Sequence, residues 1–404
     1  MRKWMSALTA FALMISLSVP AFAELKEPVD EEYYSQLRGQ NVSINVFNWG
    51  EYISDGSNDS VDINKEFENL TGIKVNYSTF ATNEELYSKL RSGGASYDVI
   101  IPSDYMIARM IREDMLLPLD SEKIPNLRYI LPDFFNPIYD PESRYSVPYT
   151  WGVVGIIYNT TMVFDEVDSW DILWDEKYYG QILMFSNPRD AFGIALAREG
   201  YSLNTENKDE LADALEQLKL QKPLVQAYVM DEIFDKMLGG EAALAPYYAG
   251  DAVTMMDENP DLDFAIPKEG TNKFVDAMCI PKGSTNPLAA QMYINFMAEP
   301  EISAANGEYI GYAIPNSGAL ELMDEEVITS VAYPPEELMD TFEYFNEMPR
   351  ETNLLMDSMW TQLLSTNEQY SRMLVPMLLL FGILLSVGIN VYRMFNKKRR
   401  QKKY

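Results

Sequence analysis

The strongest constraint on the fold is an alternation of strand and helix patterns between residues 42 and 103. "VSINVFNW" alternates as a strand, "VDINKEFENLTG" sets Ile63, Phe67 and Leu70 at helical spacing and stops at Gly72, and "IKVNYSTF" is a second strand. "TNEELYSKLRSGG" opens with Thr82 and Glu85 in capping-box spacing, and "YDVIIPS" is an apolar third strand. This β-α-β-α-β order predicts an α/β architecture with a parallel sheet, whose ligands sit beyond the carboxyl ends of the strands. Trp49-Gly50-Glu51-Tyr52 and Pro102-Ser103-Asp104-Tyr105 both fall at such ends, so an acid flanked by rings stands where a ligand would dock.

A second set of elements follows. "YSVPYTWGVVGIIYN" and "QILMFSNP" read as strands, "RDAFGIALAREG" and "DELADALEQLKLQ" as helices, and "GEAALAPYYAGDAV" as a strand running into a helix. "LDFAIPKEG", "FVDAMCIPKG" and "IGYAIPN" continue the pattern, with a helix expected around "PLAAQMYINFMAEPEISAANGEY" and further helix over 333–372. At 404 residues the chain is long enough for two domains.

Both ends read as special. Residues 1–23 carry Arg2 and Lys3, an apolar stretch and "PAFA", the pattern of a secretory signal cut after Ala23, and 24–41 form an acidic leader. Leu374 to Tyr392 is a run of 19 residues without a formal charge, followed by a basic tail over 393–404. That predicts one C-terminal transmembrane helix with a cytoplasmic tail, which would hold the protein at the extracellular face of the cytoplasmic membrane. A buried C-terminal helix is the alternative.

Nine of the 32 basic residues lie in these two ends, leaving 23 against 61 acids in between. Such a field attracts cations and repels nucleic acid and anionic substrates, although an acidic surface also serves solubility alone. One cysteine excludes an intramolecular disulfide framework, and zero histidines remove the commonest general base and the commonest metal ligand.

The run Asn48-Trp49-Gly50-Glu51-Tyr52, with "TGIKVNYSTFATNEELYSKL", "YDVIIPSDYMIARM", "YSVPYTWGVVGIIYN", "PKEGTNKFVDAMCIP" and "IGYAIPN", resembles the spermidine/putrescine-binding proteins of polyamine ABC importers, in order over residues 42–365. The resemblance implies a bilobal periplasmic-binding-protein fold, with 42–150 and 277–325 in one lobe and 151–276 and 326–366 in the other. It also implies a polyamine ligand, a partner permease and ATPase, no cofactor, and capture rather than catalysis. Residue by residue it implies a ligand site of Trp49, Glu51, Tyr52, Ser103, Tyr105, Asn187, Asp190, Tyr248, Phe274, Asp276 and Tyr312. Four positions depart from the family pattern. Gly50 replaces a hydroxyl residue, Asn187 replaces an acid, and Tyr248 and Phe274 stand for tryptophans.

The residue types suit that ligand. A polyamine is a string of ammonium groups separated by methylenes, so carboxylates supply charge-assisted hydrogen bonds and rings cover the methylenes. Asp276, inside the otherwise apolar "KFVDAMCIP", is costly to bury without a partner. The rings of Trp49 and Tyr248 could equally fill a core, and Cys279 reads as a small buried hydrophobe. The acid-rich loop "SDGSNDSVD" over 54–62 could hold calcium but reads better as a solvated loop. A ferric-ion-binding protein using Tyr247 and Tyr248 is the alternative function. An enzyme would need a constellation that is absent, since there is no P-loop, GxSxG or GxGxxG.

Overall fold

A computed structural model of the chain describes residues 30–93 and 96–365. β1 (Ser43–Trp49) lies between β2 (Lys74–Phe80) and β3 (Val99–Ile100) and runs parallel to both. The two connecting helices begin and end as their sequences require. Asp62 caps Ile63–Thr71 by accepting from Lys65 N, and Thr82 caps Asn83–Ser92 by accepting from Glu85 N. Both helices stop at a left-handed glycine, Gly72 and Gly93.

The remaining strands are β4 (Ser146–Asn159), β5 (Ile182–Phe185), β6 (Val225–Val229), β7 (Leu244–Tyr248), β8 (Leu262–Ala265) and β9 (Lys273–Cys279). The order across the sheet is β2-β1-β3-β9-β4-β7-β5-β6, with β8 paired to β4. The expectation of a parallel sheet therefore holds only in part: β5 is parallel to β6 and β7, but β9 is antiparallel to β3, and β4 is antiparallel to β7, β8 and β9. The physical reason is β4. This strand of 14 residues is too long for one lobe and serves two, pairing with β9 through Val153 and with β7 from Val154 onward.

Two apolar cores result. One gathers Phe47, Phe67, Ile100, Ile107, Tyr149, Met278 and Phe296, and the other gathers Ile156, Trp170, Phe185, Phe192, Leu244 and Met356. β4 contributes to both, Val147, Tyr149 and Trp151 to the first and Val153, Val154, Ile156 and Ile157 to the second. At the changeover Gly152 leaves room for the Phe274 ring, which a Cβ would meet at 2.9 Å. Two further passes run beside β4: Lys273 N donates to Glu343 O at 2.9 Å and Glu343 N donates to Thr271 O at 3.0 Å.

Several local expectations are corrected. "IGYAIPN" adds two isolated bridges, Trp151 to Ala313 and Ile130 to Asn316, and not a strand. The helix expected over 287–309 breaks into Pro287–Met297 and Pro300–Ile310, because Pro300 cannot continue the first. Residues 333–349 form a short 3-10 turn, Glu336–Thr341, and an extended stretch, with helix only over 350–365. β6 and the helix Ile233–Leu238 were not anticipated.

The fold class is bilobal α/β, corrected for the membrane helix that the C-terminal sequence suggested. Among the described residues no helix is long and apolar enough to cross a membrane, and the segment 374–392 lies outside them, as do the signal over 1–23 and the tail over 393–404. The single-pass anchor, and the membrane localisation inferred from it, are thus without structural support.

Gly270 tests the pairing of the lobe crossings. Its φ is +95° and a Cβ there would run into the carbonyl oxygen of Thr341. Gly270→Ala should lower stability by about 1–3 kcal/mol, because neither the backbone angle nor the backbone carbonyl yields cheaply. Thermal and urea unfolding of the variant measures this.

Candidate functional site

Asp276 lies at the centre of the sheet. β4 passes on one side, with Thr150 opposite Asp276 after a register shift at Pro148, and Ser103 bridges it on the other. Ser103 holds the N-cap position of the helix Asp104–Arg112 but makes no side-chain cap bond. Its hydroxyl donates instead to Asp276 Oδ1 at 2.6 Å. Tyr52 OH donates to Asp276 Oδ2 at 2.7 Å and also meets Thr150 Oγ1 at 2.5 Å. Both carboxyl oxygens are thus hydrogen-bonded, by neutral groups only. Burial is the main reason that this carboxyl is pushed up to about 6, and the charge of Asp190 adds to it.

The resemblance implies that Asp276 shares a lobe with Asp190, but β9 packs Phe274, Val275 and Ala277 into the first core while the helix bearing Asp190 packs into the second, so Asp190 faces Asp276 from the other lobe. It sits in the first turn of the helix Pro188–Arg198, whose N-cap Asn187 accepts from Asp190 N at 2.9 Å. Asn187 Nδ2 donates back to Asp190 Oδ2 at 2.8 Å, and Tyr248 OH donates to the same oxygen at 2.9 Å. A second acid at position 187 would repel Asp190; the amide orients it. Tyr105 OH donates to Glu84 at 3.1 Å.

Rings line the space between these groups. Tyr248 meets Phe274 with centroids 5.3 Å apart, Phe274 meets Tyr312 at 6.3 Å, and Tyr312 meets Tyr52 edge-on at 4.6 Å. Trp49 leans on Phe80 at 4.5 Å, and its indole N–H has no partner among the described residues.

One cleft gathers Trp49, Tyr52, Ser103, Tyr105, Asn187, Asp190, Tyr248, Phe274, Asp276 and Tyr312. Of the expected site residues only Glu51 is outside its lining. Glu51 adopts a left-handed backbone conformation, φ 47°, and is exposed. Its neighbour Gly50 lines the cleft in its place.

Sequence reasoning missed Glu84, Asp104, Asp231, Asp251, Arg189 and Phe345, all of which line the cleft. Asp231 carried a usable signal, because in "YVMDE" it directly follows an apolar strand, as Glu51 does. Arg189 did not. It is buried with its guanidinium 4.3 Å from the Phe345 ring, and donates to Asn204 Oδ1 at 2.9 Å and Asn346 O at 3.2 Å.

Six acids thus line the cleft against one cation, Arg189: Glu84, Asp104, Asp190, Asp231, Asp251 and Asp276. Every one is held above the ordinary carboxyl range with burial as the largest cause, and Asp104 is pushed up to about 8. A cavity of this kind favours a cationic guest with apolar stretches. It does not favour ferric ion. Burial raises the Tyr247 and Tyr248 hydroxyls well above their usual value, and the Tyr248 hydroxyl is donated to Asp190. Among the described residues no group of three or more acids or cysteines is arranged to hold a metal, the loop 54–62 included.

The comparisons with known proteins agree with this chemistry. A model of the family described as bacterial extracellular solute-binding proteins matches residues 62–335. The spermidine/putrescine-binding periplasmic protein of Escherichia coli is 33% identical over 311 residues, covering 76% of this chain and 88% of the relative. A putrescine-binding periplasmic protein of Pseudomonas aeruginosa is 30% identical over 345 residues, covering 80% and 92%. A solved structure of a putative spermidine/putrescine ABC transporter from Listeria monocytogenes superposes with a TM-score of 0.76 at 37% identity, covering 80% of this chain and 98% of that one.

The carboxyls set a pH dependence for the ligand-free protein. Those of Asp276 and Asp104 titrate above their ordinary value, so their contribution to stability is fully present below about 4 and is lost as pH rises through about 6 and about 8. The ligand-free protein should therefore melt at higher temperature at pH 5 than at pH 8. Asp276→Asn should flatten part of that slope, the gap between about 6 and the ordinary value being worth about 3 kcal/mol. Calorimetric melting across this range checks both.

Proposed function

We propose a polyamine cargo on one premise: the chain belongs to the bacterial extracellular solute-binding proteins. The protein captures spermidine or putrescine outside the cytoplasmic membrane and hands it to the permease of an ABC importer. It acts by binding and lobe closure, not by catalysis. The observation that carries this reading is the buried Asp276 carboxylate, partnered by hydroxyls alone and facing Asp190 of the other lobe inside an aromatic cleft.

The mechanism follows from the charges. With both lobes closed and no ligand, ionised Asp276 and Asp190 repel across the cleft and each has lost water. An alkyl-diammonium replaces that repulsion with two attractions, so it favours the closed state by the difference in its affinity for closed and open forms. Trp49, Tyr52, Tyr105, Tyr248, Phe274 and Tyr312 cover the methylenes, and their faces add about 0.5–2 kcal/mol per cation contact. The aligned relatives are named for spermidine and putrescine, which supports this choice of cation over a metal ion.

Calorimetric titration with putrescine and spermidine tests the reading. Asp276→Asn should weaken binding by about 1.5–3 kcal/mol, the worth of a charged hydrogen bond. Binding should also release protons near pH 6, because a bound cation pulls the Asp276 carboxyl back down, and affinity should fall as pH drops below about 6. Equal heats in buffers of different ionisation enthalpy at pH 6, or no binding of either polyamine, would overturn it.

A further inference from the structure

Gly50 follows β1 in one lobe and Asp231 follows β6 in the other, and the two meet across the mouth of the cleft. A Cβ on Gly50 would stand well inside contact distance of Asp231 Oδ2 and 3.3 Å from its Cγ. Gly50 is not a left-handed glycine, so no backbone angle demands it there. What demands it is the Asp231 carboxylate, which fills the space a side chain at position 50 would take.

That carboxylate is unusual for its surroundings. Among the described residues nothing donates a hydrogen bond to it and no cation reaches it; the charges that act on it, Glu232 and Glu51, are both negative. Asp251, deeper in the cleft and buried, also feels it, and is itself held by Tyr312. Trp49 and Tyr247 line the same cleft. Two carboxylates beside two rings, with the outer one open to solvent, form a station for a hydrated alkylammonium as it enters. Asp231 also follows β6, the neighbour of β5, and Asn187, where the resemblance implies an acid, follows β5. The missing charge is returned one strand over.

We propose that Asp231 is a specificity-determining acid of the cleft, taking an ammonium group of the ligand together with Asp251, and that Gly50 is the clearance that lets it reach across as the lobes close. This rests on the polyamine reading above. It makes residue 50 act through residue 231: a methyl group at position 50 pushes the end of a flexible carboxylate aside without disturbing the fold.

A mutant cycle at low ionic strength tests it, because an exposed carboxylate is screened by salt. Affinities for putrescine and spermidine are measured by calorimetry for the native protein, Asp231→Asn, Asp231→Ala, Gly50→Ala and the Gly50→Ala/Asp231→Ala double variant, with melting temperatures to show that each is folded. Asp231→Asn should weaken binding of at least one polyamine about tenfold or more. Gly50→Ala should weaken it similarly in the native background but by no more than about twofold once Asp231 is alanine, because the two act as one unit. Native affinity in Asp231→Asn, or an equal loss from Gly50→Ala in both backgrounds, overturns the proposal. If Asp276→Asn loses affinity while Asp231→Asn does not, this inference alone falls; if the native protein binds neither polyamine, the polyamine reading falls with it.

Discussion

Like charges facing each other across a cleft, with too few cations to satisfy them, are the constraint around which this structure is arranged. Asp276 from one lobe and Asp190 from the other are both buried and both hydrogen-bonded by neutral donors, and the charge of Asp190 raises the energy of ionised Asp276. Arg189 is the one lining cation: its guanidinium bonds Asn204 and the backbone of Asn346 against the Phe345 ring, and its charge eases the ionisation of Asp190 and Asp104 without pairing with either. A buried carboxylate without a counter-ion costs several kcal/mol, and a protein keeps such groups where a guest supplies the missing charge.

The surrounding fold gives up local stability to hold this arrangement. Ser103 could cap its helix, which is worth about 1 kcal/mol, but directs its hydroxyl to Asp276. β4 breaks register at Pro148 to bring Thr150 opposite Asp276, and the same strand then leaves for the second lobe. The lobes touch through small residues where they close: a Cβ on Gly250 would overlap the Tyr312 ring, and Thr254 Oγ1 donates to Ile310 O at 3.2 Å across the gap. Closure and cation recognition are therefore served by the same few elements.

Much of this was legible in the sequence, for reasons that differ by residue. Helices whose ends are set by their own side chains, such as Ile63–Thr71 under Asp62 and Asn83–Ser92 under Thr82, could be read locally. Ten of the eleven site residues taken from the family resemblance line one cleft; for Trp49, Tyr52, Ser103 and Tyr105 the reason is that motifs at the ends of parallel neighbours, here β1 and β3, converge. The antiparallel run of β4 and β9 was not legible, since pairing direction depends on contacts far apart in the chain. Glu51 stands outside the cleft lining in a left-handed backbone conformation that strand alternation cannot foresee, while its charge still reaches Asp231 and Asp251. Asp231 and Asp251 escaped notice because their meaning depends on what the opposite lobe brings to them.

A crystal structure of the protein with spermidine bound measures the central claim most directly. One ammonium nitrogen should lie within about 2.7–2.9 Å of an Asp276 oxygen and a second against an acid of the other lobe, with methylenes on the rings of Tyr248 and Phe274. A polyamine seated outside this cleft, or one whose nitrogens touch acids of a single lobe only, would contradict it.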